Sequence, residues 1–272
     1  MISNLLFIAG ILFLSMACRT FKGRFFRKLG ILGILFASYL TGWLIGGHWE
    51  LGVIFVAAWF FLPWIEILTR IRKLRLPIER SVERQPPPPR QAFPHLGRLT
   101  TEVEPLGFEH VLDAGWMFEN HRHFFRVFYN SQHRCDASIT FIEQEQFAFF
   151  YLSLCSRCRD GRVFISWNYP FSYGLRLPSN FVVNRIPEQL SPESLYTAHL
   201  QFLANHSIQS ETLQDQTAES LLTHIQQDMQ DLVALNLKNG LLQRDGDSLF
   251  RYSRNGMFFL WIQFLRDLAR FS

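Results

Sequence analysis

Two long apolar segments separated by three residues constrain this chain more than any other feature. Residues 29–47 contain no charged side chain, and residues 51–69 contain only Glu66, near their end. Each segment is close to the ~20 residues that a helix needs to cross a ~30 Å hydrocarbon core. The connection between them, His48-Trp49-Glu50, suits a tight turn with an aromatic anchor at the membrane interface. The sequence therefore predicts a transmembrane hairpin.

The first 18 residues form a third apolar run without a charged residue. A signal peptide carries its positive charges before the apolar run, whereas here they follow it, between Arg19 and Lys28. We therefore predict a third membrane span at about residues 2–18. Removal of this segment, at a lipoprotein-like site ending in Cys18, is the alternative.

Positive charge indicates the orientation of these spans. Arg and Lys number five in residues 19–28, none in residues 48–50 and four in residues 70–75. Short loops rich in Arg and Lys stay on the cytoplasmic side of a membrane. We expect a multi-pass protein of the cell inner membrane, with its N-terminus outside and everything after Arg70 in the cytoplasm.

A proline-rich stretch, residues 76–94, follows this transmembrane region of residues 1–75. Four consecutive prolines favour an extended, stiff linker. Charge also changes at this boundary, because residues 1–94 hold 12 Lys and Arg against 4 Asp and Glu, whereas residues 95–272 hold 15 against 19. The basic excess suits anionic lipid headgroups of the bilayer. The mildly acidic remainder lacks the basic surface that nucleic-acid binding requires.

Residues 95–272 predict one cytoplasmic α+β domain. Runs rich in aromatic and β-branched residues indicate strands in an antiparallel meander, at residues 123–129, 137–142, 147–154 and 162–167. Asp160-Gly161 is a strong hairpin signal between the last two. Ser191-Pro192-Glu193 predicts the start of a helix, and a second helix should begin near Asp215 and end before Gly240. The predicted fold class is a membrane-anchored α+β protein whose meander sheet packs with C-terminal helices.

The last segment, residues 255–272, has two interpretations. Residues 256–265 are almost wholly apolar, but they are too few to cross a bilayer. The segment is either a helix buried in the domain or an amphipathic helix that lies on the cytoplasmic leaflet.

Cysteine and histidine residues give one candidate site. Cys155 and Cys158 have the C-x-x-C spacing of zinc ligands, and His133 and Cys135 lie one hairpin earlier. The four residues are candidate ligands for zinc, the one cofactor we consider. The alternative is that they are ordinary strand-end residues without a metal. The domain contains neither a Gly-x-Ser-x-Gly motif nor a glycine-rich phosphate loop.

Aromatic residues give a second candidate site. They are dense in and beside the irregular stretch that follows the fourth predicted strand, and so many aromatic side chains are unfavourable in water. They either cover one end of the sheet or form a contact surface for a ligand or partner, which would comprise Trp167, Tyr169, Phe171, Tyr173 and Phe181.

Several of these features together resemble uncharacterised bacterial membrane-anchored proteins that have a transmembrane hairpin and a cytoplasmic α+β domain. The resemblance covers about residues 99–205 and rests on the Leu-Gly-Phe opening at Leu106, the strand ending in Asp160-Gly161, the proline-containing loop and a helix with His199. It implies a fold but no activity.

Two classes of function are consistent with this sequence. The favoured one is a membrane-tethered cytoplasmic module without catalysis, which binds a membrane or cytoplasmic partner protein, or an apolar ligand, through the aromatic stretch. The alternative is a metal-assisted enzyme that uses the His- and Cys-rich strand edge.

Overall fold

The computed structural model describes residues 2–21, 23–144, 147–186 and 191–271. For residues 2, 3, 24, 27 and 268–271 it describes the backbone alone. The chain divides into two units. One unit consists of Met1–Leu74 and Arg254–Ser272, and the other is Arg75–Ser253. The described helices are α1 (Ile2–Thr20), α2 (Arg24–Gly46), α3 (Trp49–Thr69), α4 (Leu96–Val103), α5 (Pro192–Asn205), α6 (Ala218–Lys238) and α7 (Arg254–Phe271). The described strands are β1 (Leu76–Pro77), β2 (Glu83–Arg84), β3 (Glu109–Phe118), β4 (His121–Asn130), β5 (Cys135–Gln144), β6 (Phe147–Arg157), β7 (Val163–Trp167), β8 (Phe181–Arg185), β9 (Leu242–Asp245) and β10 (Leu249–Tyr252).

Two helical segments of the first unit, Lys28–Gly46 and Trp49–Lys73, are long and apolar enough to cross a membrane by length and composition. Little of either segment is buried against the rest of the protein, in agreement with the predicted hairpin. The apolar part of α1 is shorter, Asn4–Thr20. The third span at residues 2–18 therefore stays a prediction.

Close packing joins α2 to α3. A Cβ atom on Gly42 would lie 2.5 Å from the carbonyl oxygen of Leu51, so a larger residue would force the two helices apart. Gly47, with a φ of 69°, ends α2 in the left-handed conformation and donates its N–H to the carbonyl of Trp43. Near the end of α3, Glu66 pairs with Arg70 at 3.3 Å, as its i,i+4 spacing allows.

The C-terminal helix α7 packs on α3 within the first unit. The indole N–H of Trp261 donates to the carbonyl of Phe60 at 2.7 Å, and the Trp261 ring lies 6.4 Å from that of Phe61 and 6.2 Å from that of Trp64. Neither predicted position of this segment, in the domain core or flat on a leaflet, included such a contact. The aromatic side of α7 therefore contacts aromatic residues of α3.

The second unit is an α+β fold built on a seven-stranded sheet of order β2-β3-β4-β5-β6-β7-β8. Strands β4 to β7 form the predicted antiparallel meander, which is confirmed; β3 pairs antiparallel with β4, and β8 adds to β7 in parallel. Strand β3 lies outside the four runs predicted as strands. The two predicted helices are α5, whose cap Ser191 accepts from the N–H of Ser194, and α6, which begins after a capping box at Thr217 and Ser220.

Helices cover both faces of this sheet. On one face, Leu99 of α4 and Leu195 of α5 pack on Phe124, Phe128 and Ile139 of the strands. On the other face, a second apolar cluster includes Leu221 of α6 with Leu112, Ala114 and Val127. Because strand side chains alternate between faces, each central strand contributes to both cores.

The proline-rich residues 76–94 pack within the second unit. The sequence predicts an extended linker instead. Leu76 lies opposite Phe250 in a small sheet of order β1-β10-β9, and β2 pairs with β3. Val82 and Phe93 are buried, and the Phe93 ring stacks on Phe141 at 4.8 Å. The prolines are stiff, but the apolar residues on either side of them have enough buried surface to hold the segment in place.

Candidate functional site

The predicted aromatic residues lie along the β7–β8 edge of the large sheet. Trp167 ends β7, Phe181 begins β8, and the loop between them carries the others. Trp167 stacks on Tyr173 at 5.3 Å between ring centres. Tyr169 is 6.0 Å from Trp167 and 5.9 Å from Phe171, and Phe181 packs on the same cluster. The structure therefore brings Trp167, Tyr169, Phe171 and Tyr173 into one aromatic group. Phe181 joins the same apolar cluster beside Val163, without a ring contact to the other four.

Three residues of β6 extend this group, and the sequence analysis did not select them. Tyr151 lies 5.1 Å from Tyr169, Phe149 lies 5.5 Å from Phe171, and Phe147 stacks on Phe149 at 6.1 Å. Phe147, Phe149 and Tyr151 alternate along one strand, so they share a face of the sheet. That alternation was visible in the sequence, but nothing local linked it to the loop.

The outer part of the group is exposed. Phe147 is 49% exposed and Phe171 is 45% exposed. We call Phe147, Phe149, Tyr169 and Phe171 the aromatic patch. Among the described residues of the Arg75–Ser253 unit, the only other exposed large apolar side chain is Met117. An exposed apolar surface that continues into a packed core is typical of a binding site.

Polar groups hold the loop that carries the patch. Arg185 of β8 donates to the carbonyls of Tyr169 and Pro170 and to the hydroxyl of Ser172. Further along the loop, Asn236 of α6 accepts from the N–H of Arg176 and donates to its carbonyl, both at 2.9 Å. Buried backbone groups need such partners, so the loop presents its aromatic residues from a fixed backbone.

The four candidate zinc ligands occupy separate surroundings. Cys135 lies in the core beneath α4 and α5, whereas Cys155 packs with the aromatic group on the other face of the sheet. The register explains this, because Asp136, and not Cys135, is opposite Cys155. Cys158 packs with Phe164, Leu203 and Leu213. Within the described ranges, no group of three or more His, Cys, Asp or Glu side chains is arranged to hold a metal ion.

Burial also disfavours the thiolate form of these cysteines. It raises the pKa of the Cys135, Cys155 and Cys158 thiols above their ordinary range, and Asp136 raises the first two further. A thiol binds zinc as its thiolate. His133 bonds through Nδ1 to the hydroxyl of Tyr196. Zinc binding by these residues stays a prediction.

A buried Ser–His–Ser group lies on the α5 face of the sheet. His199 has no exposed surface, and its Nε2 is 3.1 Å from the hydroxyl of Ser156 while its Nδ1 is 2.9 Å from that of Ser166. Burial lowers the pKa of His199 to about 4. All three residues are fully buried, so a substrate has no access to them. The histidine instead provides hydrogen-bond partners for the two serine hydroxyls inside the core.

A partly buried ionic group lies on the other face, under α6. Arg157 pairs with Asp228 of α6, and burial raises the pKa of nearby Asp136 to about 7 even though Arg157 opposes the shift. The cluster holds two carboxyl groups and one guanidinium. Because Arg157 pairs with Asp228, the carboxyl group of Asp136 has no cation of its own and favours its neutral form.

Comparisons with known proteins do not name this site. No family model, no curated protein and no solved structure matches the chain.

Proposed function

We propose that the protein is a membrane-anchored binding module that holds a partner protein through the aromatic patch. The observation that carries this proposal is the exposure of Phe147 and Phe171 at the edge of a continuous aromatic stack. Exposed phenylalanine is unfavourable in water, and aromatic anchors on a fixed backbone supply most of the energy of protein interfaces. An apolar segment of a partner would remove the patch from water.

The anchor, on this proposal, consists of three spans, with the N-terminus outside and residues 75–253 in the cytoplasm. Its support is the distribution of Arg and Lys, with five in residues 19–28, none in residues 48–50 and four in residues 70–75. Reporter fusions after residues 21, 48 and 253 test this arrangement. Activity of a cytoplasmic reporter at residues 21 and 253, but not at 48, is expected, and the opposite pattern would reject it.

Crosslinking in cells tests the contact surface. A photoreactive phenylalanine analogue at Phe171 of the full chain should give a discrete crosslinked protein band, because this position is at the proposed interface. The same analogue at Met117, which is 64% exposed, is the matched control and should give none. Substitution Phe147→Ser in the same chain should weaken the Phe171 band several-fold, since it removes a neighbouring anchor.

The result that would contradict the proposal is equally specific. Equal crosslinking from positions 117 and 171, or no protein crosslink from 171, would show that the patch is not a partner surface. Retained expression and an unchanged circular dichroism spectrum of each variant keep misfolding from producing the same result.

A further inference from the structure

Arg80 occupies an unusual position in the Arg75–Ser253 unit. The carbon at the centre of its guanidinium is 4.9 Å from the middle of the Trp116 ring and 5.4 Å from that of the Phe250 ring. Its backbone carbonyl accepts a hydrogen bond from the side chain of Gln226 on α6, which also accepts from the N–H of Val82. The side chain is therefore held against aromatic rings from a fixed backbone position.

Among the residues that the structure describes, no anionic side chain pairs with the guanidinium. Within the described residues it forms no ion pair and no hydrogen bond, and its Nε–H is buried without an acceptor. The ring contacts stabilise the faces of the guanidinium, but aromatic rings do not replace acceptors for its in-plane N–H groups. A largely buried cation without a carboxylate is unfavourable, and native proteins seldom keep one without a reason.

Other donors without acceptors lie around Arg80. Trp116 is 3% exposed, and its indole N–H has no acceptor among the described residues. Tyr173 and Tyr252 lie within electrostatic range of Arg80, and neither hydroxyl bonds to a described residue. These groups come from three different elements, namely β3, the loop after β7, and β10.

The remaining neighbour adds no charge. His123 stacks on Trp116 at 4.2 Å, and burial, together with Arg80 and His121, lowers its pKa to about 3. His123 is therefore neutral at pH 7. The local charge is that of Arg80, and no described carboxylate neutralises it.

We propose that Arg80, Tyr173 and Tyr252, beside the buried ring of Trp116, form a binding site for a phosphate group. A guanidinium whose faces contact rings offers its N–H edge, which matches two oxygens of one phosphate. A phosphate has further oxygens for donors that approach from other directions, which a carboxylate lacks. Arg80 is partly exposed, so an anion reaches it from solvent. The proposal does not depend on the aromatic patch being a partner surface.

Thermal unfolding of the full chain in zwitterionic nanodiscs tests the site. About 20 mM inorganic phosphate, compared with chloride of equal ionic strength, should raise the melting temperature of the Arg75–Ser253 unit by roughly 2–4 °C, because a ligand stabilises the state that binds it. The variant Arg80→Met should remove this rise. Arg80→Lys should keep only part of it, since lysine lacks the planar edge. Arg84→Met, at an exposed position of β2, is the matched control and should keep the full rise.

A second measurement is independent of stability. Bound phosphate should shift the indole N–H signal of Trp116 in a nitrogen–proton NMR spectrum and raise the pKa of His123. The absence of both changes, or an equal phosphate effect in the Arg80→Met variant, would overturn the proposal. A larger effect from acetate than from phosphate would overturn the assignment to phosphate.

The source of the phosphate is decided by a further comparison. A shift of the Trp116 signal with free phosphate in phosphatidylcholine nanodiscs supports a soluble ligand. A shift that appears only when phosphatidic acid is included in the nanodiscs, and that is lost in Arg80→Met, supports a lipid headgroup. No shift under either condition rejects the site.

Discussion

Trp261 of α7 donates its indole N–H to the backbone carbonyl of Phe60, three residues before Pro63 in α3. Proline removes one N–H from the helix and disturbs the carbonyls of the preceding turn. In an apolar environment a carbonyl without a donor is costly. Pro63 removes the helical donor of the Trp59 carbonyl, and Trp261 supplies an extra donor to the neighbouring carbonyl, that of Phe60, in the same turn.

Substitution Trp261→Phe should therefore loosen α7 while keeping an aromatic ring in place. The lost hydrogen bond is expected to cost about 1 kcal/mol. Hydrogen exchange of the α7 backbone in nanodiscs should become several-fold faster. Trp43→Phe, at an exposed tryptophan of α2, is the control, and equal effects of the two variants would contradict the role of this hydrogen bond.

Asp136 should make the stability of the second unit depend on pH. Its pKa is raised to about 7 by burial, with Asp228 adding to the shift and Arg157 opposing it, whereas an unfolded Asp titrates near ~3.9. Between these values the folded state keeps a proton that the unfolded state has released. Stability from this group is therefore present at low pH and is lost as the pH rises towards 7.

The variant Asp136→Asn removes this contribution. From pH 5 to pH 8 the wild type should lose about 1–3 kcal/mol more unfolding free energy than the variant, measured by urea unfolding of the full chain in zwitterionic micelles. Taking the difference between two proteins cancels the titration of other groups, such as His224. Asp231→Asn, on the exposed face of α6, should follow the wild type, and parallel curves for all three proteins would refute the prediction.

His199 should be essential for the core on the α5 face. Substitution His199→Leu leaves the buried hydroxyls of Ser156 and Ser166 without their histidine partner, at an expected cost of roughly 2–4 kcal/mol in unfolding free energy. The triple variant with Ser156→Ala and Ser166→Ala should recover part of this loss. His95→Leu, at an exposed histidine, should be nearly neutral.

The pH dependence of His199 has the opposite sign to that of Asp136. Because burial lowers its pKa to about 4, below the ~6.5 of an unfolded histidine, its stabilising effect is present above pH 6.5 and decreases as the pH falls towards 4. Urea unfolding between pH 4 and 7 should show a shallower acid slope in His199→Leu than in the wild type. An identical slope would reject a neutral buried histidine.

Metal removal should not destabilise the protein. Cys135 and Cys155 lie on opposite faces of the sheet, and all three buried thiols are held in the protonated form, so we expect chelation by EDTA to change the melting temperature by less than about 1 °C. Elemental analysis of the purified full chain gives the independent check. Stoichiometric zinc together with a lower melting temperature after chelation would contradict this expectation and support zinc binding.

Local patterns predicted the elements whose partners are adjacent in sequence. The meander from β4 to β7 is marked by aromatic and β-branched runs with short turns such as Asp160-Gly161, and α5 and α6 are marked by their caps. Pairings between distant segments carry no such mark. Leu76 pairs with Phe250, and β8 returns parallel to β7 after an irregular loop, so neither the small sheet nor the parallel edge was predicted.

The candidate sites show the same division. The aromatic residues between Trp167 and Phe181 are close in sequence and were predicted as a group, whereas Phe147 and Phe149 join them only because β6 is the neighbour of β7. Arg80 was not predicted as a site residue, because it lies in the proline-rich segment of residues 76–94 that the sequence indicated to be a linker. Its contacts with Trp116 and Phe250 depend on the tertiary fold alone.

The first unit is discontinuous, since residues 75–253 separate α3 from the α7 helix that packs on it. During translation, α1, α2 and α3 therefore leave the ribosome long before α7 has been synthesised. Until then the carbonyl of Phe60 lacks the hydrogen bond from the indole N–H of Trp261. A nascent chain that stops before Arg254 therefore lacks the ring contacts that Trp261 makes with Phe61 and Trp64 of α3.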